Sequence, residues 1–247
     1  MFNNDEIPEG YSFSIPEFPP TGSKALTALE AEQYYLNKIK GHEQEWKRAK
    51  LNLIIFYQKV GRFEPALEIL KELLEMARNN EEKAHSYLTF GQFMEQEENF
   101  AAAVEYYTQA SLLEHTNTET SYFINNNLGY SLNKLGKFEE GEKYCRKAIE
   151  IDPNLHNAYK NLGISLEGQD HYEEAANNYV QATKLESLNP RAAGHLQDLL
   201  ERHPEIIEKN PGLSKDLENC QKAVKFAQKS VSKMNEDWQV QNKDRMN

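Results

Sequence analysis

The stretch Tyr122–Asn154, YFINNNLGYSLNKLGKFEEGEKYCRKAIEIDPN, decides the reading of this chain. Moved forward by 34 residues, the step from Tyr122 to His156, it meets itself. Leu128-Gly129 falls on Leu162-Gly163, Phe138 on Tyr172 and Ala148 on Ala182. Self-similarity at this period marks an array of helix pairs, in which stacking buries the apolar faces that one pair leaves open. Within the unit, Gly129 and Ala148 are the small residues expected where paired helices approach most closely, while Leu128, Leu132 and Phe138 fill the space between pairs. Asp152-Pro153 closes the unit, because proline stops the helix before it and suits the first turn of the next.

The pattern continues in both directions. Downstream, 154–189 repeats it with Tyr159, Leu162-Gly163, Leu166, Tyr172, Ala175, Tyr179 and Ala182. Upstream, 82–119 carries Phe90-Gly91, Met94, Phe100, Ala103, Tyr107 and Ala110, with about four extra residues assigned to the polar turn Glu114–Glu119. A degenerate first copy over 45–81 starts near Trp46. Ile54 replaces its glycine and Leu73 its small residue, so its two helices must sit further apart, and Arg78–Glu82 takes up spare length. The predicted fold is all-α: a right-handed α-solenoid of about four antiparallel helix pairs over 45–189, with extra helices at both ends.

The flanks differ in character. Residues 1–22 hold Pro8, Pro16, Pro19 and Pro20 among Phe2, Ile7, Tyr11, Phe13, Ile15 and Phe18. Proline excludes a regular helix there, which leaves a loose tail or an extended segment that buries one side. Residues 23–44 predict a helix over Lys24–Lys40 with Ser23 as N-cap and Gly41 as break. Residues 190–212 predict a capping helix over Arg191–Arg202, opened by Asn189-Pro190, and then a short turn. In 213–247 a last helix, capped by Ser214, carries Leu213, Leu217, Cys220, Val224, Ala227, Val231, Met234 and Trp238 in alternating steps of four and three. That is a heptad seam, with two open uses: closing the solenoid, or joining a second copy or another protein as a homodimer or adaptor helix.

Composition narrows the function. The net charge of −11 repels phosphate backbones, which argues against nucleic acid as a partner. Cys145 and Cys220 form no CxxC, and free thiols suit a reducing compartment. No apolar run approaches membrane-spanning length and no secretory signal opens the chain, so no membrane insertion and a cytoplasmic address are expected. Metal-binding, phosphate-loop and nucleophile-elbow spacings are all missing. Glu139-Glu140 and Glu173-Glu174 fall on solvent faces. No catalytic residue, metal or cofactor is expected.

The repeat resembles the tetratricopeptide repeat family, whose signature runs W-x2-L-G-x2-Y, A-x3-F, P. The resemblance covers Trp46 to Asn189 and departs at Asn125, Gly141, Glu98 and Asp170. It implies a concave groove, lined by the first helix of each pair, that binds a peptide segment of a protein partner. The groove positions it implies are Asn52, then His85, Thr89 and Gln92, then Phe123, Asn126, Asn127, Tyr130, Asn133 and Lys134, then Asn157, Lys160, Asn161 and Ile164. Asn52, Thr89, Asn127 and Asn161 share one position, where family members that hold extended peptide use a carboxamide ladder. Family members that clamp a C-terminal carboxylate use lysine, arginine and asparagine at groove places that match Leu88, Gln92, Asn127, Asn157 and Asn161 here; the cations are missing, so that specialisation is not expected. The expected function is a non-catalytic interaction scaffold. The alternatives are an assembly protein that self-associates through its last helix or N-terminal segment, and a chaperone that shields a client segment.

Overall fold

The computed structural model describes residues 27–40 and 43–242. Among these, twelve helices follow one another with no strand: α1 (Ala28–Ile39), α2 (Glu43–Lys59), α3 (Phe63–Glu75), α4 (Asn80–Gln96), α5 (Phe100–Ser111), α6 (Thr118–Lys134), α7 (Phe138–Ile151), α8 (His156–Glu167), α9 (Tyr172–Leu185), α10 (Arg191–Arg202), α11 (Glu205–Lys209) and α12 (Gly212–Asn242). Helices α2 to α9 form four antiparallel pairs, each packed on the next, and the array is an all-α, right-handed solenoid. The 1–22 segment, Ser23 and Gly41 lie outside the described residues.

Local chemistry sets where the helices begin. Thr27 caps α1, which runs from Ala28, through a reciprocal pair with Glu30; the expected start at Lys24 lies outside the described residues. Asn79, Asn99 and Asn117 each accept a backbone N–H three residues on, at 2.9, 3.2 and 2.8 Å. Two of these caps revise the expected loops. Asn79 starts α4 at Asn80 and Asn117 starts α6 at Thr118, so much of the spare length read as turn is helix. Both helices reach 17 residues, against 12 in α8. Helix α12 begins at Gly212, which places Ser214 inside it and not at its cap. Asn189 accepts the Arg191 N–H at 3.1 Å at the start of α10.

Packing within the pairs follows two recipes. In the second and fourth pairs a fully buried tyrosine crosses a glycine. A Cβ added to Gly91 would lie 2.3 Å from the Tyr107 ring, and one added to Gly163 would lie 2.4 Å from the Tyr179 ring. The two hydroxyls donate to Glu95 at 2.9 Å and to Glu167 at 2.7 Å. Burying each ring contributes about 2 kcal/mol, and its hydroxyl is not left unpaired. In the third pair the matching residues are Gly129, Cys145 and Asn133. The Asn133 amide donates to the Asn161 carbonyl of the next pair at 2.8 Å, and its Oδ1 accepts from Ser165 at 2.8 Å. Its Oδ1 would lie 2.3 Å from a Cβ on Gly141, which explains glycine there instead of alanine.

The ends are closed differently. Ala31 and Tyr35 of α1 join the core of Leu53, Phe56 and Tyr57, and Glu32 accepts from Tyr57 at 2.7 Å and Arg62 at 2.9 Å. At the other end α12 packs on α9 and α10. The heptad seam divides there: Leu213, Cys220 and Val224 are buried and Leu217 is half-buried in that core, whereas Ala227 is half-buried and Val231, Met234 and Trp238 are exposed.

Candidate peptide groove

Helices α2, α4, α6 and α8 are the first members of successive pairs and would line the inner face of the solenoid. Helix α6 packs directly on α4 and α8. Between α2 and α4 the wall opens instead. One cavity of about 310 Å³ lies between Trp46 and Leu51 of α2, Leu73 and Met76 at the end of α3, and His85 and Thr89 of α4. A second, of about 520 Å³, shares Leu51, His85 and Thr89 and runs on past Ile55 and Gln92 to Glu95 and Asn127. The two form one trough.

Each wall has a sequence cause. The cap-extended turns of α4 and α6 supply Glu81, Glu82, Asn117 and Thr120 to the first cavity. Lys47 donates to Glu82 at 2.8 Å across its edge, and that hydrogen bond holds the Glu82 carboxyl below its usual pKa. Trp46 has the Lys50 ammonium 5.0 Å from its ring centre. Ile55 and Met76 are 49% and 48% exposed, so two large apolar side chains are available for contact. Desolvation by the surrounding walls lowers the His85 pKa, against an opposing pull from Glu119, which leaves a neutral imidazole able to donate or accept.

The expected groove residues separate into two sets. His85, Gln92 and Lys134 are exposed, and Asn52, Thr89, Phe123, Asn127, Tyr130, Asn157, Lys160 and Ile164 are half-buried. Asn126, Asn133 and Asn161 are buried, with 6%, 7% and 2% exposure. They belong to an internal network: Asn126 donates to Asn127 at 2.9 Å, and Asn161 donates to Asn126 at 3.1 Å. Close packing of α6 on α8 turns these carboxamides toward each other rather than toward a ligand. The expected ladder is therefore interrupted. Asn161 is enclosed, and the Thr89 hydroxyl donates to the His85 carbonyl of its own helix at 2.9 Å. Trp46, Leu73 and Met76 are the wall residues that pattern reading missed. The signal was present in Ile54 and Leu73, large residues where the repeat has small ones, each lining one of the two cavities.

Toward the far end of the inner face, cations gather around an aromatic ring. The Lys134 ammonium lies 5.6 Å from the centre of Tyr130 and 5.7 Å from that of Phe100, and the Lys160 ammonium lies 5.9 Å from Tyr130. Among the described residues no group of three or more His, Cys, Asp and Glu side chains is placed to hold a metal ion. Nor is any helix long and apolar enough to cross a membrane.

Comparison with known proteins accords with the repeat fold. Tetratricopeptide repeat profiles match residues 124–155 and 144–176. The chain is 29% identical over 105 residues to the photosystem I assembly protein Ycf3 of Acaryochloris marina, covering 42% of this chain and 63% of that protein. It is 38% identical over 60 residues to the protein O-mannosyl-transferase Tmtc3 of Drosophila melanogaster, covering 24% of this chain and 6% of that protein. The matches thus span less than two thirds of the length of either relative. Among solved structures, BtubC from P. vanneervenii superposes with a TM-score of 0.60 at 18% identity, covering 84% of this chain and 89% of BtubC. MamA residues 41 to the end from Desulfovibrio magneticus RS-1 gives 0.56 at 16% identity, covering 81% and 97%. These two likenesses concern the fold alone.

Proposed function

Because the chain belongs to the tetratricopeptide repeat family, a family of protein-interaction scaffolds, we propose that it is a non-catalytic scaffold that holds a peptide segment of a partner protein in the trough between α2 and α4. The observation that carries this reading is the trough itself. Two adjoining cavities offer apolar walls at Trp46, Leu51, Leu73 and Met76, with a few polar groups at His85, Thr89 and Gln92. A concave, mostly apolar lining with sparse polar groups is what a peptide side chain and its adjacent backbone require. The test is to pan a displayed random 12-residue peptide library on the full chain and titrate the selected peptides against wild type, Ile55→Asp and Met76→Asp. Both side chains are exposed, so folding should survive. A loss of at least tenfold in affinity is expected, and affinity unchanged in both variants sinks the reading.

A second reading, assembly through α12, has an observation of its own. The exposed residues Val231, Met234 and Trp238 continue the seam that Leu213, Cys220 and Val224 use inside the molecule. Gln228 and Ser230 flank that seam without charge, and the lysines of α12 lie on its other side by helical register. A second copy could pair there. Light scattering of the full chain and of Val231→Asp/Met234→Asp across a concentration series decides it: a monomer at every concentration removes this reading.

A further inference from the structure

The last helix carries a feature that neither the trough nor the seam uses. From Asn219 to Asn235 it holds four lysines, Lys222, Lys225, Lys229 and Lys233, and no acid. With the whole chain at −11, that +4 leaves −15 on the rest. At 3.6 residues per turn the four lysines fall within an arc of about 80°, on the side of α12 opposite Val231, Met234 and Trp238. All four are exposed. Phe226 stands at the edge of the same arc and is 75% exposed, more than any other large apolar side chain among the described residues. We propose that this lysine row, together with Phe226, binds the surface of an anionic lipid bilayer.

Shape and charge both point to a flat, anionic surface. Beyond Val224 no described side chain of α12 is buried, so the helix runs clear of the solenoid. The row is then a straight ridge, about 16 Å long from Lys222 to Lys233. A ridge has no walls to enclose a peptide, whereas a plane of headgroups can meet all four ammonium groups at once. Their long stems let each cation reach sideways to a lipid phosphate or carboxylate. The Phe226 ring gains by leaving water for the boundary between headgroups and acyl chains. One acid opposes this: Glu218 pairs with Lys222 at 2.5 Å. Both of those side chains are largely exposed, so the pair is weak and a headgroup can replace the carboxylate. The next acid in sequence, Glu236, comes after the row. The −15 on the rest of the chain is repelled by the same surface, which confines contact to the helix and turns the solenoid away from the bilayer. The seam faces away from the lipid in this arrangement. Pairing of two copies is therefore compatible with it, and two rows would bind more firmly than one.

Co-sedimentation of the full chain with vesicles tests the proposal. Vesicles of phosphatidylcholine alone are compared with vesicles that also hold about 30% phosphatidylserine, in about 0.05 M and about 0.5 M salt. Binding should be at least tenfold stronger to the anionic vesicles at low salt and should be mostly lost at high salt. The double variant Lys225→Glu/Lys229→Glu should weaken it at least tenfold, and Phe226→Ser several-fold. All three positions are exposed, so the variants should keep the helical circular dichroism of wild type. Ile55→Asp, in the trough, should bind vesicles as wild type does. Equal partitioning into both kinds of vesicle overturns the proposal, as does anionic binding that either α12 variant keeps in full. Loss of binding in Ile55→Asp overturns it too, because the lipid would then act through the trough. A polyglutamate peptide serves as the other probe. If it binds the lysine row while anionic vesicles stay empty, the row serves an acidic protein and the lipid assignment is wrong.

Discussion

The second and fourth helix pairs solve the same packing problem as the third with different residues, and the contrast separates what a repeat needs from what it can vary. In the even pairs a tyrosine ring lies over a glycine and ties its hydroxyl to a glutamate of the same pair. The third pair has Cys145 where the ring would be, and Asn133 turns outward to the next pair. One recipe makes a self-contained unit and the other makes a joint. The joint lies between α6 and α8, where the inner helices pack closely. The trough lies at the other side of the second pair, where the Lys47–Glu82 ion pair spans α2 and α4 at 2.8 Å.

The largest effect should come from removing the ring. Tyr179→Ala is expected to cost about 4 kcal/mol in urea unfolding, while Cys145→Ala at the matching position costs about 1 kcal/mol. Equal losses would erase the distinction. Next, Gly141→Ala should cost about 2 kcal/mol, because its Cβ meets Asn133 at 2.3 Å. In the double variant with Asn133→Ala the cost should be well below the sum of the two singles, whereas additivity would mean that Asn133 is not the obstacle. A gain is expected for Lys160→Asn, which copies Asn126 of the third pair into the fourth. With its folded pKa lowered, Lys160 disfavours the folded state while protonated, so the variant should melt higher than wild type at pH 7. That advantage should fade as pH climbs through the folded pKa toward the free-lysine value. A melting difference that does not change with pH would remove the electrostatic account. The smallest effect concerns the turns. Gly61 and Gly136 take left-handed backbone at φ 73°, but Glu98 and Asp170 do so in the even pairs at φ 56° and 61°. Glu98→Gly should stabilise the chain by about 0.5 kcal/mol in thermal unfolding. A loss instead would show that the Glu98 side chain earns its place.

The architecture was legible because it depends on side-chain size at fixed spacing. Leu128, Gly129, Phe138 and Ala148 announce close helix contacts whatever their neighbours are. Three features were harder to read. The Asn79 and Asn117 caps sit in polar stretches that also suit turns, so the longer α4 and α6 were missed. Asn126 and Asn133 look like surface residues by type, and only the nearness of α6 to α8 shows that Asn126 bonds Asn127 and Asn161 while Asn133 bonds the Asn161 carbonyl and Ser165. The trough is lined at a departure from the repeat: Leu73 borders its first cavity and Ile54 its second, but in sequence both read as mere mismatches. The cations Lys134 and Lys160 were visible one by one, while their approach to the same Tyr130 ring needed two helices in register.

The buried thiols give the protein a built-in timer. Cys145 is wholly enclosed at the joint between the third and fourth pairs, with its thiol pushed up to about 12. Cys220 is enclosed where α12 meets α9, and its pKa is raised as well. Neither sulfur can react with an alkylating reagent until its own neighbourhood opens. Labelling rates at pH 8 therefore clock two different openings in one unmodified chain. Cys220, held by a single terminal helix, should be modified well before Cys145, and a peptide that bridges the inner helices should slow Cys145 further while leaving the Cys220 rate where it was.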